Sequence, residues 1–150
     1  MDIFEAIKDD HKEVRRILDE LVSSSKLPKD QKLKSFGQLR AGLLPHMYAE
    51  EDLFYPFARN EAGLKDLILE AEEEHTAARN LLAELESMDV GHERWIPKLQ
   101  VLQDLLLHHI ETEEGEIFNG VRGCMDTQQA QTMAKDFLAI EELPGVGVRA

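Results

Sequence analysis

Six residues have the types and spacing of metal ligands. His46 and His109 each open a His-x-x-x-Glu-Glu stretch, His46 to Glu51 and His109 to Glu114. Residues four apart on a helix share one face, so His46 with Glu50, and His109 with Glu113, can each converge on one point. His11 and His75 stand alone, each after a pair of acidic residues: Asp9-Asp10-His11 and Glu73-Glu74-His75. Four imidazoles and two carboxylates without a thiolate suit iron, and also manganese or zinc. Two carboxylates can bridge two cations, which leaves two His for each and open positions for a further ligand.

The arrangement is stated twice. His11 is followed by Arg15, Leu18, Glu20 and Leu21, and His75 at the same offsets by Arg79, Leu82, Glu84 and Leu85. His46 lies thirty-five residues after His11 and His109 thirty-four after His75. A site built from both copies must lie between two halves of one domain. An unpaired carboxylate in an apolar core costs several kcal/mol, so Glu50 and Glu113 are hard to explain as packing residues. Glu51 and Glu114 fall beside the apolar seam and are expected behind the ligands or in solvent. His92 sits in a polar turn, and His108 has Thr112 rather than a carboxylate four residues on. His92 is expected at the surface, and His108 is the weaker candidate ligand, expected to flank the pocket.

Four segments with apolar residues at alternating spacings of three and four would carry these ligands. The first seam is Phe4, Ile7, His11, Val14, Leu18 and Leu21, and the second Phe36, Leu39, Leu43, His46, Glu50, Leu53 and Phe57. The third is Leu64, Ile68, Ala71, His75, Ala78, Leu82 and Leu85, and the fourth Leu99, Leu102, Leu106, His109, Glu113 and Ile117. Each His and Glu takes the place of a core residue near mid-seam. Breaks at Ser23 to Pro28, Asn60 to Gly63 and Asp89 to Gly91 are short, which predicts antiparallel neighbours in an all-α, up-down-up-down four-helix bundle. Helices of about 25 residues are about 37 Å long, so mid-helix ligands would meet in one layer. Thr127 to Leu143 reads as a shorter fifth helix with Met133 and Phe137 facing the bundle. The domain is thus expected over residues 1–143, with an irregular tail at 144–150. Pro45 marks either a kink or a restart of the second helix, and Pro56 its fraying end. Tyr48 and Tyr55 read as packing residues.

Composition narrows the partners. The chain has 150 residues, 9 Gly, 5 Pro and 6% aromatic residues, which suits one helical domain. Its formal charge of −13 would repel nucleic acid and anionic membranes. Cys124 is the single cysteine, so no disulfide can form within the chain. No signal-peptide pattern and no membrane-spanning apolar run is visible, which predicts a soluble, cytoplasmic protein.

A lone His, then His-x-x-x-Glu-Glu, then Glu-His, then His-x-x-x-Glu-Glu, each on its own helix, resembles the hemerythrin-like domain, also called the HHE cation-binding domain. The resemblance runs from Ile3 to Phe118 and includes Leu53-Phe54-Tyr55-Pro56 and Glu116-Ile117-Phe118. It implies two non-heme iron ions, carboxylate- and oxo-bridged, held by His11, His46, Glu50, His75, His109 and Glu113. The oxygen-carrying hemerythrins supply two His, four residues apart, from the third helix. Here the residues four before and four after His75 are Ala71 and Arg79, leaving a gap for Glu72 or water. The fourth helix offers Glu113 where the carriers use an Asp at a longer spacing. A more oxygen-rich, more open site favours the ferric state, so the expected ligand is dioxygen, peroxide or nitric oxide, in oxidative or nitrosative stress. The alternatives are a non-catalytic iron or oxygen sensor or store acting on a partner protein, and an iron donor for iron–sulfur cluster repair. Relatives of the last kind often carry a cysteine-containing N-terminal segment, whereas this chain opens at its first helix.

Overall fold

The computed structural model describes residues 1–23 and 26–147, and among these there are helices and no strands. Helix α1 spans Ile3–Ser23. Helix α2 runs Lys29–Ala49, passes through a π-helical turn at Glu50–Phe54 and continues over Tyr55–Asn60. Helix α3 spans Lys65–Ser87. Helix α4 repeats the pattern of α2: Trp95–Thr112, a π-helical turn at Glu113–Ile117, then Phe118–Arg122. Helix α5 spans Thr127–Glu141, two residues shorter than the seam predicts. Its start is fixed by a capping box in which Asp126 accepts from the Gln129 backbone N–H and Gln129 reaches back, satisfying two donors the first turn would leave free. Ser24 and Ser25, in the expected first break, and residues 148–150 of the tail lie outside the described residues.

Helices α1 to α4 form the antiparallel bundle the short breaks predict. Leu21, Phe36, Leu85 and Trp95, from chain-adjacent helix ends, share one apolar cluster. Ile3, Ala58, Ile68 and Val121 share a second cluster at the other end. At the α2–α3 turn the chain reverses at Gly63, whose φ of 67° is left-handed and open to glycine at no steric cost. The Leu64 N–H then bonds the Ala58 carbonyl at 3.1 Å. Trp95 donates its indole N–H to the Leu85 carbonyl at 3.2 Å, closing the far end. Between the two clusters lies a layer in which His11, His46, Glu50, His75, His109 and Glu113 are all buried. Among the described residues no helix is long and apolar enough to cross a membrane.

The second seam departs from expectation after Glu50. Phe54 and Ala58 are buried, whereas Leu53 and Phe57 are only partly so. A π turn inserts one extra residue, which moves everything after it about 100° around the axis. The core positions therefore slip from 53 and 57 to 54 and 58. Nor does the helix restart at Pro45, which lies inside the α-helical stretch. Pro56 is not a fraying end either: it opens the turn after the π insertion, where its missing N–H is tolerated. The tail beyond α5 forms turns, and Gly147, at φ 75°, lies against the Leu44 carbonyl where a Cβ would collide.

Candidate metal centre

Each helix sends its polar residues to one level of the bundle. The side chains of His11, His46, Glu50 and Glu113 offer ligand atoms within 4.8 Å of one another, and Glu50, His75 and His109 form a second such group. Glu50 Oε1 is 3.1 Å from His46 Nε2 and 3.3 Å from His75 Nε2. Glu113 reaches His11 Nε2 at 3.2 Å and His109 Nε2 at 3.6 Å. Each carboxylate thus touches one imidazole from each half of the repeat. All six sequence-selected residues converge, and both carboxylates are 0% exposed.

Five buried atoms here have no hydrogen-bond partner: His11 Nε2, His46 Nε2, both Glu50 oxygens and one Glu113 oxygen. They approach one another without the alignment of hydrogen bonds, as lone pairs do when aimed at a common third atom. Buried polar atoms are otherwise almost always paired. The donor set, oxygen and imidazole nitrogen, is that of a transition-metal cation. The residues present fit the group.

Behind the ligands runs a closed ring of carboxylates. Asp10 on α1 accepts from His46 Nδ1 on α2 at 2.8 Å, and Glu51 on α2 from His75 Nδ1 on α3 at 2.6 Å. Glu74 on α3 accepts from His109 Nδ1 on α4 at 2.8 Å, and Glu114 on α4 from His11 Nδ1 on α1 at 2.6 Å. The geometry follows from helix pitch. A residue next to a ligand points about 100° away from it, toward the neighbouring helix. Taking the residue before the His on one direction of helix, and the residue after the Glu on the other, keeps the same sense around the ring. With Nδ1–H committed outward, each imidazole turns its Nε2 inward, and on losing the Nε2 proton it presents the tautomer a metal requires. Glu51 and Glu114 sit behind the ligands as expected. Asp10 and Glu74 do the same work, and their signal was the acidic residue before each lone His.

Tyr55 is the residue the sequence reading missed. It is buried, and its hydroxyl donates to Glu113 Oε2 at 2.5 Å while lying 3.1 Å from His75 Nε2 and 3.2 Å from His109 Nε2. Nine residues beyond His46, it would face the opposite side of a straight α-helix. The π turn swings it back to within about 80° of His46. It stands on the side where Ala71 supplies no second His. Glu72, the expected substitute, is half-buried and belongs to neither ligand group. His108 is exposed, 3.6 Å from Glu74, and His92 is exposed as well.

The proton inventory reflects so many charges in a dry layer. Burial alone would push the His109 imidazolium down, but the nearby Glu113 carboxylate and the hydrogen bond to Glu74 outweigh it and raise its pKa to about 10. Burial is likewise overcome at His11 by Glu113 and Glu114, and at His46 by Glu50 and Asp10, so both are raised. Burial also opposes the Glu113 charge, yet contacts with Glu50, His109 and His11 hold it well below the usual carboxylate range. Tyr55 is pushed well up by burial and by the Glu113 and Glu50 charges. On α5, burial and the neighbouring Asp10 raise Glu141 to about 9. The raised pKa values of His11, His46 and His109 mean that a cation binding there would displace protons.

Comparison with known proteins agrees with this chemistry. The model of the hemerythrin HHE cation binding domain matches residues 2–120. A curated relative, a DNA nickase of Nostoc sp. (strain PCC 7120), is 28% identical over 139 residues, which are 93% of this chain but 39% of that protein. The chain therefore spans about two fifths of that relative's length. The crystal structure of a hemerythrin HHE cation binding domain-containing protein from Mycobacterium kansasii superposes with a TM-score of 0.80 over 95% of this chain and 86% of the other, at 20% identity; at that identity it speaks to fold. A match over most of the chain, with buried His and Glu in the order that defines the motif, makes this protein a member of the hemerythrin HHE cation-binding family.

Proposed function

We propose that the protein holds two non-heme iron ions in the His–Glu layer and reacts there with small oxidants, hydrogen peroxide foremost, with dioxygen and nitric oxide as related ligands. The observation that carries this reading is the pair of shared carboxylates. Glu50 and Glu113 each contact an imidazole from both halves, as bridging ligands must. His11 and His46 would hold one ion and His75 and His109 the other, with Glu50 and Glu113 between them.

Bound iron supplies one-electron redox chemistry and an open position for a small ligand. The chain does the rest. The carboxylate ring fixes the imidazole tautomers, and the apolar clusters on both sides of the layer exclude water. Tyr55 can donate a hydrogen bond through its hydroxyl or, deprotonated by a nearby cation, act as an oxygen donor on the side that lacks a second His from α3. Three or more oxygen donors favour the ferric state, and so oxidant turnover over reversible oxygen carriage.

We place this activity in the cytoplasm and assign it no nucleic acid, because a formal charge of −13 opposes phosphate backbones. The nickase activity belongs to a relative of which this chain matches only 39%. The test is peroxide consumption by iron-loaded protein against metal-free protein. Catalytic oxygen release that depends on iron is expected. Stable binding without consumption would instead make the protein a sensor or store.

A further inference from the structure

Resting on that reading of the centre, we propose that a recess beside Tyr55 is the portal by which small polar solutes of hydrogen peroxide size reach the metal layer. The recess has a volume of about 350 Å³ and is lined by Glu51, Tyr55, Arg59, Asn60, Ile68 and Glu72, among others. Two of these extend into the centre. The Tyr55 hydroxyl donates to Glu113 and lies within 3.2 Å of the Nε2 atoms of His75 and His109, and Glu51 accepts from His75 Nδ1. The cavity among the ligands is only about 10 Å³, at most one water's worth of room. A reactant must therefore arrive through a neighbouring space, and Tyr55 belongs to both the recess and the centre.

The repeat supplies an internal control. Shifting the recess residues by the repeat offset turns Tyr55 into Phe118, Arg59 into Arg122, Ile68 into Phe4 and Glu72 into Lys8. At that matching position the Arg122 guanidinium lies 4.6 Å over the Phe4 ring and 5.5 Å from the Phe118 centroid. An arginine stacks there on two aromatic rings, and Phe118 has no hydroxyl to reach the ligands. On the Tyr55 side Ile68 replaces a phenylalanine, and the space stays open. A groove of about 400 Å³ between α2 and α5 is larger, but its lining, Leu53, Phe57 and Met133 among others, includes none of the six candidate ligands and, unlike Tyr55 and Glu51, no residue seen hydrogen-bonded to one. The polar lining of the recess, with Glu51, Glu72, Arg59 and Asn60, suits a hydrogen-bonding solute better than an apolar gas.

The test uses azide as a peroxide-sized probe on the full iron-loaded chain, with its association rate followed by absorbance in a stopped-flow instrument. Asn60→Trp and Glu72→Trp fill the recess from its rim, and Gly123→Trp, at the repeat mate of Asn60, is the control. Iron content is measured in every variant. The expected result is a tenfold or greater fall in association rate in both recess variants at unchanged iron content, with Gly123→Trp at the wild-type rate. A smaller change in either recess variant, or equal slowing by Gly123→Trp, overturns the portal while leaving the centre intact. A wild-type chain that takes up no iron overturns both.

Discussion

The two halves of this bundle carry the same pattern of three candidate ligands, two His and one Glu, but differ around it. In the first half, His11 and His46 sit with Glu50 and Glu113 under α5, whose Phe137 lies 5.7 Å from the His46 ring. In the second, His75 and His109 have Tyr55 beside them and an open recess next to it. At the matching positions Tyr55 becomes Phe118 and Arg59 becomes Arg122, which stacks over Phe4. Duplication supplies the shared ligands; divergence of the flanking residues makes one side buried and the other reachable.

The largest effect should come from what the halves share. If Glu50 and Glu113 bridge two cations as proposed, Glu50→Ala and Glu113→Ala should each bring metal content from two per chain toward none. His11→Ala or His75→Ala should leave about one. Equal losses from Glu and His variants, read by elemental analysis, would break the idea of sharing. Next come the outer carboxylates, one half at a time. Glu114→Gln should weaken the first half and Glu51→Gln the second, each by about 10–100-fold in metal affinity, measured by competition with a chelator. Tyr55→Phe should make the halves alike: iron content holds, while a visible phenolate-to-iron charge-transfer band present in the wild type disappears. An unchanged spectrum would show that Tyr55 only hydrogen-bonds.

The smallest effect is one of pH on the metal-free protein. His109 is raised from 6.5 to about 10, and His11 and His46 are raised as well. A raised folded pKa means the folded state binds the proton more tightly, so that stability is complete below about 6.5. It should decline as pH climbs toward about 10, and chemical denaturation at a series of pH values would show it. Metal loading should reverse the slope and release protons, because ligating imidazoles must be neutral.

Much of this was legible in the chain. The four seams gave the bundle, and mid-seam His and Glu gave the ligand layer, because a polar residue in an apolar stripe is costly without a partner. Two π turns interrupt the helices, at Glu50 and Glu113; regular periodicity failed after the first, whereas Ile117 at the end of the second is buried as its seam expects. The first breaks the 3.6-residue rule on which any seam is drawn, so Leu53 and Phe57 were expected inside and Tyr55 was taken for packing. Asp10 and Glu74 were visible as part of the repeat, but their role depends on which helix lies next to which, and that is a property of the assembled bundle.

The most direct test of two cations bridged by Glu50 and Glu113 is an anaerobic iron titration followed by oxidation and electron paramagnetic resonance. The account predicts saturation at two iron per chain and a diferric product silent in resonance, because bridged ferric ions couple antiferromagnetically. Saturation at one iron per chain, with the signal of an isolated high-spin ferric ion, would contradict it.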